Sequence, residues 1–309
     1  MSAPRNRIPT RLAGTPELHL AVQPADRQPA EDVLYVHGAT FPSALSIFFR
    51  FDGVSWADAL NDAGFNAWGL DFAGYGESGR HAAMQGDADR APPIGRAEDA
   101  APQVRRALEH VVERNGGLPV NVIAHSWGTL VAGRVAAAHP ELVKRLVMFG
   151  PIAPREGAPI AAPSQAWRLL TVWQQYRRFI EDVPRGAPPV LADHHMHEWA
   201  AAYLASDPQS AGRTPHAVKT PNGPAADIAT VWSSGSAGYD LAAIRCPVLL
   251  VRGEWDSLCG DRDARRLLDA LGAAAKEDRK LARGTHLMHL EENRGALHAA
   301  SIEFLRAPV

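Results

Sequence analysis

The chain has 309 residues, of which 46% are hydrophobic and 21% are charged, a composition typical of a globular protein that can bury a core of ordinary size. The formal net charge of -2, without a Lys/Arg-rich run, argues against a nucleic-acid partner. No apolar stretch is long enough to span a bilayer, no signal-peptide core follows the basic residues 1–7, and Cys246 and Cys259 form no metal or disulfide pattern, so we expect a cytoplasmic protein.

From about residue 33 onward, short apolar runs alternate with helical patterns. Strands are predicted where such a short run ends in a turn, at residues 33–36, 66–71, 120–124, 146–149, 247–252 and 276–281. The predicted helices lie at 55–63, 98–114, 127–138, 261–271 and 288–305. This alternation predicts an α/β fold, with a mostly parallel sheet covered by helices on both faces and a ligand at the carboxyl ends of the strands.

The segment 151–240 interrupts this alternation. It is rich in Pro, His and Trp, shows no clear strand, and has helical patterns at about 164–181 and 194–205. We predict a helical insertion there, so that residues 1–150 and 241–309 form the α/β core.

The strongest chemical motif is Ala124-His-Ser-Trp-Gly128, which lies between a predicted strand and a predicted helix. A serine on such a sharp turn has its hydroxyl exposed above the sheet. Gly128 fits the G-x-S-x-G pattern, whereas Ala124 replaces its first glycine. An ordinary turn with a capping serine would give the same local pattern, so the catalytic interpretation depends on partners elsewhere in the chain.

Two residues near the C-terminus supply those partners. A serine nucleophile needs a base, and the base needs a third group to orient it. Asp256 follows strand 247–252, and His286 lies directly after the last predicted strand, which gives the chain order Ser–Asp–His. We therefore predict Ser126 as nucleophile, His286 as base and Asp256 as the orienting acid, and we place His289 on the final helix in a surface or packing role.

A tetrahedral intermediate also needs donors for its oxyanion. The expected donors are the backbone N–H of the residue after the nucleophile, Trp127, and that of Ala39, in the loop after the first central strand. His37 is expected to shape that loop, and Asp71 to tie down the Gly-rich turn 74–79. That turn lacks the residues of a phosphate-binding or dinucleotide-binding loop.

Together these motifs resemble the α/β-hydrolase superfamily, in the expected order from residue 33 onward. The segments that carry the resemblance are His37-Gly38, Asp71 with Gly74-Tyr-Gly-Glu-Ser78, Ala124-His-Ser-Trp-Gly128, Gly253-Glu-Trp-Asp256 and Gly284-Thr-His286. Some bacterial lipases of the superfamily also carry alanine at the first elbow position. The resemblance implies the α/β-hydrolase fold, with 151–240 as a cap domain inserted between the sixth and seventh strands.

The resemblance implies a hydrolase for a small molecule and leaves the reaction open, because the superfamily hosts many chemistries. We favour a carboxylic ester with an apolar or aromatic group, since the aromatic residues of 151–240 are expected to line a pocket: Trp167, Trp173, Tyr176, Phe179, Trp199, Tyr203 and Trp232. A C–C bond hydrolase stays open, and so does a ligand-binding receptor on the same scaffold.

A peptidase is a further alternative. The Ser-Trp-Gly core resembles proline iminopeptidases, but their His-Gly-Gly-Pro-Gly loop is replaced here by His37-Gly-Ala-Thr-Phe-Pro42. Glu181 and Glu198 could bind a substrate amine. No metal or organic cofactor is expected, because only residues 194 and 197 of His194-His-Met-His197 share a helix face and no spaced Cys or carboxylate completes a zinc set.

Overall fold

The computed structural model describes residues 5–26 and 30–308, so residues 1–4 of the basic N-terminal segment lie outside the described residues. The strands are β1 (Ile8–Leu12), β2 (Leu18–Gln23), β3 (Glu31–Val36), β4 (Phe65–Asp71), β5 (Val120–His125), β6 (Val143–Phe149), β7 (Trp167–Thr171), β8 (Ala217–Pro221), β9 (Val248–Gly253) and β10 (Lys276–Leu281). The helices are α1 (Trp56–Asp62), α2 (Ala97–Arg114), α3 (Gly128–Ala138), α4 (Val172–Ile180), α5 (Asp193–Ala205), α6 (Gly223–Ser234), α7 (Asp261–Ala270) and α8 (Arg294–Arg306).

Eight of these strands form one sheet, in the order β1-β2-β4-β3-β5-β6-β9-β10. The six strands from β4 to β10 in this order pair in parallel, whereas β1 and β2 are antiparallel to their neighbours. The mostly parallel sheet confirms the predicted α/β-hydrolase fold. It also brings the carboxyl ends of β3, β5, β9 and β10 to one edge.

Alternate residues of the central strands pack into separate cores on the two faces of the sheet. Leu34 of β3 packs in the cluster that contains Val104 of α2 and Leu130 of α3. Its neighbour Val33 packs in the cluster that contains Trp56 of α1 and Leu297 of α8. Because successive side chains of a strand point to opposite faces, one apolar run fills both cores and the sheet is covered on both sides.

The first two strands, β1 and β2, were not predicted. They form an antiparallel hairpin at the edge of the sheet, with Leu12 paired to Leu18 and β2 bonded to β4. β1 is short and contains Pro9, a residue that sheets accept at an edge. Its formation therefore depends on pairing with β2.

The segment 151–240, called the cap segment below, differs from the prediction of an all-helical insertion. It contains an antiparallel pair, β7 and β8, besides α4, α5 and α6. The prediction of a helix from 164 was wrong, because α4 begins only after Thr171, which forms a capping box with Gln174. In chain order, the cap segment lies between the sixth and seventh strands of the large sheet.

The end of the chain differs from the prediction as well. The final helix was expected from 288, but residues Met288–Leu290 form a separate 3₁₀ turn and α8 begins at Arg294. The Glu291 side chain accepts hydrogen bonds from Thr285, in the loop before this turn. Within the described part of the chain, no helix is long and apolar enough to cross a membrane.

Candidate active site

Three of the predicted residues meet at the carboxyl edge of the sheet. Ser126 follows β5, Asp256 lies in the loop after β9, and His286 lies in the loop after β10. His286 Nε2 is 2.7 Å from Ser126 Oγ, and His286 Nδ1 is 3.0 Å from each carboxylate oxygen of Asp256. All three are buried, with 6%, 5% and 3% exposure for the serine, aspartate and histidine. The structure therefore brings them into the order that proton transfer from serine to histidine requires.

Ser126 lies on a strained turn between β5 and α3. Its φ is +55°, a left-handed conformation that is uncommon for residues other than glycine. The turn is held by a hydrogen bond from Ser126 N–H to Phe149 O at 2.9 Å. A Cβ at Gly128 would lie 2.4 Å from His37 O, so the last motif position requires glycine because α3 starts against the backbone of the β3 loop.

Asp256 is held by more than its contact with the histidine. Its Oδ1 accepts hydrogen bonds from the backbone N–H groups of Leu258 at 2.9 Å and Cys259 at 3.1 Å. Burial by itself would raise the pKa of this carboxyl, but the contact with His286 and these two N–H donors lower it below its usual range. The group therefore carries its negative charge at neutral pH.

Two residues that support this arrangement were not predicted. Gly150, after β6, leaves room for it, because a Cβ there would lie 2.9 Å from His286 Nδ1 and 3.0 Å from Asp256 Oδ2. Glu291 anchors the histidine loop by accepting from Thr285 N–H at 3.0 Å, and burial raises its pKa to about 7. The position of Gly150 directly after a predicted strand could have marked it as part of the site. No sequence pattern marks Glu291.

His289 lies behind the site and was placed incorrectly by the sequence prediction. It belongs to the 3₁₀ turn before α8 and is buried against Phe41 and His125. Neither ring nitrogen has a hydrogen-bond partner among the described residues, and burial holds its pKa well below the usual range. His289 is therefore a neutral packing residue and makes no contact with Ser126.

The loop after β3 lies opposite the serine. Ala39 lines the same cavity as Ser126, and its carbonyl accepts a hydrogen bond from the Tyr75 hydroxyl at 2.7 Å. His37 is buried and accepts from Phe72 N–H at 3.1 Å, which is the loop-shaping role that was predicted. Among the described residues, none accepts a hydrogen bond from the N–H of Ala39 or Trp127. Both groups remain available to a ligand.

The Gly-rich turn is held as the sequence suggested. Asp71 accepts from the backbone N–H and the hydroxyl of Ser43, at 2.9 and 2.6 Å, and from Glu77 N–H at 3.1 Å. These bonds join the loop after β3 to the turn after β4, which gives Asp71 a structural role.

A cavity of about 470 Å³ opens above the serine, between the sheet edge and the cap segment. Successive turns of α6 contribute an apolar wall made by Ala225, Ile228 and Trp232. The wall from β7 and α4 is mostly polar and contains Arg168, Leu170, Gln174, Gln175, Arg177, Arg178 and Glu181. The volume lies within the range of small-molecule sites.

The aromatic residues of the cap segment contribute less to the cavity than predicted. Of the seven aromatic residues named above, only Trp232 lines it. Trp199, Phe179 and Tyr203 are fully buried in a cluster that also contains Phe41 and Phe51 of the α/β core, and Trp173 is 63% exposed. These three large side chains therefore pack the cap segment against the α/β core instead of lining the cavity.

In the histidine run, the sequence spacing places only residues 194 and 197 on one helix face, and no metal site was expected there. The structure instead brings His194, His195 and Asp52 together, with their potential ligand atoms within 4.8 Å of one another. Asp52 is already engaged, by His195 Nε2 at 3.1 Å and by the Arg294 guanidinium at 3.2 Å. Each carboxylate oxygen of Asp52 thus already has a side-chain partner.

Comparison with known proteins supports the fold and the class of chemistry. The sequence profile described as serine aminopeptidase, S33, matches residues 30–293. None of the curated proteins compared matches the chain in sequence.

The proteins whose solved structures resemble this chain are named for several hydrolytic reactions. They include 2-hydroxy-6-oxo-6-phenylhexa-2,4-dienoate hydrolase from Rhodococcus sp. strain RHA1, with a TM-score of 0.65, 18% identity and coverage of 98% of this chain and 99% of that one. A thermophilic esterase from Thermogutta terrifontis has a TM-score of 0.60 and 18% identity, and the match covers 97% of this chain and 98% of that one. Epoxide hydrolase A from Mycobacterium thermoresistibile has a TM-score of 0.64 and 16% identity, and the match covers 98% of this chain and 99% of that one. At such identities the likeness concerns the fold.

Proposed function

The chain belongs to the serine aminopeptidase S33 family of α/β-hydrolases, and we propose that it is a serine hydrolase that cleaves a carboxylic ester through an acyl-enzyme intermediate on Ser126. The observation that carries this proposal is the 2.7 Å contact between His286 Nε2 and Ser126 Oγ, with Asp256 on the other ring nitrogen. In a family of hydrolases, this is the arrangement that activates a serine hydroxyl.

In the proposed reaction, Ser126 Oγ attacks the ester carbonyl while His286 Nε2 takes its proton. The charged Asp256 keeps the Nδ1 proton of His286 in place and stabilises the imidazolium. The N–H groups of Ala39 and Trp127 would bind the oxyanion. His286 then protonates the leaving alcohol, and water, activated by the same histidine, releases the acid.

The cavity favours a small molecule with an apolar portion. The α6 wall of Ala225, Ile228 and Trp232 suits an aliphatic or aromatic group. The cytoplasmic location and the independence from metals and organic cofactors stay predictions.

The pocket offers less support for an aminopeptidase, although the family description names that activity. Glu198 is exposed and is not among the residues that line the cavity, and Glu181, which lines it, is paired with Arg178. A substrate ammonium group would therefore find no free carboxylate among the described lining residues. A C–C bond hydrolase uses a similar site and is the second candidate, because the dienoate hydrolase shares the fold with a TM-score of 0.65.

Fluorophosphonate labelling combined with kinetics tests the proposal. The wild-type protein should be labelled and should hydrolyse p-nitrophenyl butyrate with a kcat/KM far above that for prolyl-p-nitroanilide, and Ser126→Ala should abolish both labelling and turnover. Labelling of the Ser126→Ala protein would contradict the nucleophile. A preference for the prolyl anilide would favour the peptidase, and ligand binding without any turnover would favour a receptor.

A further inference from the structure

One guanidinium group in the cavity has no counter-charge within residues 5–26 and 30–308. Arg168 lies on β7 and lines the cavity above Ser126. Its Nε is buried without a hydrogen-bond partner, and none of the described residues forms an ion pair with it. Arg213, which is likewise half-buried, contacts an aspartate at 2.7 Å. Partial removal of a charge from water costs free energy unless a counter-charge compensates it, so an anion in the cavity would stabilise the Arg168 guanidinium.

The neighbours of Arg168 cannot neutralise it. The hydroxyl groups of Tyr75 and Tyr203 interact electrostatically with Arg168, but burial raises the pKa of both phenols, which keeps them uncharged. Burial also lowers the pKa of Arg168, with a contribution from the positive charge of Arg178. A guanidinium nevertheless remains protonated in proteins, so the positive charge persists in the cavity.

The charged side chains that line the cavity carry a net positive charge, like Arg168 itself. Among the described lining residues, Arg168, Arg177 and Arg178 are cationic and Glu181 is the acidic one, and Glu181 is paired with Arg178. Two guanidinium groups are thus left without an acid on the wall formed by β7 and α4. The opposite wall, from α6, is apolar.

We propose that Arg168 binds a carboxylate carried by the substrate, so that the ester bears a negative charge separated from its scissile carbonyl by a short apolar chain. This inference rests on the proposed ester hydrolysis at Ser126 for its reaction, but its binding part can be measured independently. A guanidinium and a carboxylate match in geometry as well as in charge. The apolar wall of α6 would contact the chain between the two polar ends.

The kinetic test compares charged and neutral forms of one ester. The probes are the 4-nitrophenyl half-esters of succinate, glutarate and adipate, each paired with its methyl-capped neutral counterpart. We expect at least one wild-type charged-to-neutral ratio of kcat/KM well above one, and a loss of roughly 10- to 100-fold of that ratio in Arg168→Met, the range for a charge-assisted hydrogen bond. Arg168→Lys should retain part of it, and Arg265→Met, which removes an exposed charge on α7, should match wild type.

A binding test separates this inference from the proposed reaction. In the Ser126→Ala protein, calorimetry should show that monomethyl glutarate binds more tightly than dimethyl glutarate, and that Arg168→Met removes the difference. If no ester is hydrolysed but this difference is present, the anion site stands and the proposed reaction fails. The opposite outcome is that neutral esters are hydrolysed, but no charged ester reacts faster or binds more tightly than its neutral counterpart. In that case the anion site is refuted and the proposed reaction stands. The comparison within the Arg168-containing protein does not depend on whether Arg168→Met folds.

Discussion

Substitution of Asp256 by asparagine should inactivate the enzyme while leaving the site almost undisturbed in shape. The Oδ1 atom of Asp256 accepts from the N–H groups of Leu258 and Cys259, at 2.9 and 3.1 Å. An asparagine would keep its oxygen on these two donors and turn its NH₂ group toward His286 Nδ1. With an NH₂ group 3.0 Å away at the Oδ2 position, an Nδ1 that accepts is favoured over an Nδ1–H that faces a second donor, so the ring proton moves to Nε2, where Ser126 needs an acceptor.

The size of the effect follows from these contacts. A flipped amide would leave both backbone N–H groups facing another donor, at a cost of about 1–3 kcal/mol for each. Even at about 2 kcal/mol in total, the flipped form would account for only about 3% of the molecules. Since the wrong tautomer dominates, kcat should fall about 10⁴-fold, which corresponds to about 5.5 kcal/mol in the activation free energy.

Hydrolysis of p-nitrophenyl butyrate and the rate of fluorophosphonate labelling measure this loss, and thermal unfolding verifies that the variant is folded. Asp269→Asn is the matched control, because Asp269 is an exposed residue of α7 and the same atoms change there. The control should react at the wild-type rate. An Asp256→Asn variant that is folded and retains a rate within about tenfold of wild type would refute the orienting role of Asp256.

Three further predictions concern the surroundings of the site. His289→Phe should leave labelling intact whereas His286→Ala abolishes it, and the opposite result would show that the wrong histidine has been chosen. Asp227→Ala should lower the free energy of unfolding by about 2–5 kcal/mol in urea titrations, because it leaves the Trp127 indole N–H and a backbone N–H at α2 without their acceptor; unchanged stability would contradict this role. Burial lowers the pKa of His298 to about 3, so the unfolded state binds the extra proton below about pH 6.5 and stability falls on acidification. His298→Phe should remove about 2 kcal/mol of the stability difference between pH 8 and pH 5, and an unchanged pH slope would argue against a neutral buried His298.

Much of the fold could be predicted from the sequence because its signals are local. The apolar runs of β3 and β5 and the helical spacing of α2 report directly on burial, since a residue that repeats with the period of its element faces the core. The strand–serine–helix pattern placed Ser126 on its turn, and the chain order indicated Asp256 and His286 as its partners. The pairing of β7 with β8 could not be predicted, because the two short strands are separated by two helices and neither has a strong pattern of its own.

The sequence by itself determined the α/β core, the serine turn and the candidate partners of Ser126, because the residue type and its neighbours carry that information. The tertiary structure added the surroundings of the two nearby histidines, since His286 contacts Ser126 whereas His289, three residues further on, packs against His125. It also decided that Gly150 must lack a side chain and that no acid among the described residues pairs with Arg168. Those properties depend on distances between segments remote in the chain, and a one-dimensional pattern does not record which charges and atoms the folded chain leaves facing each other.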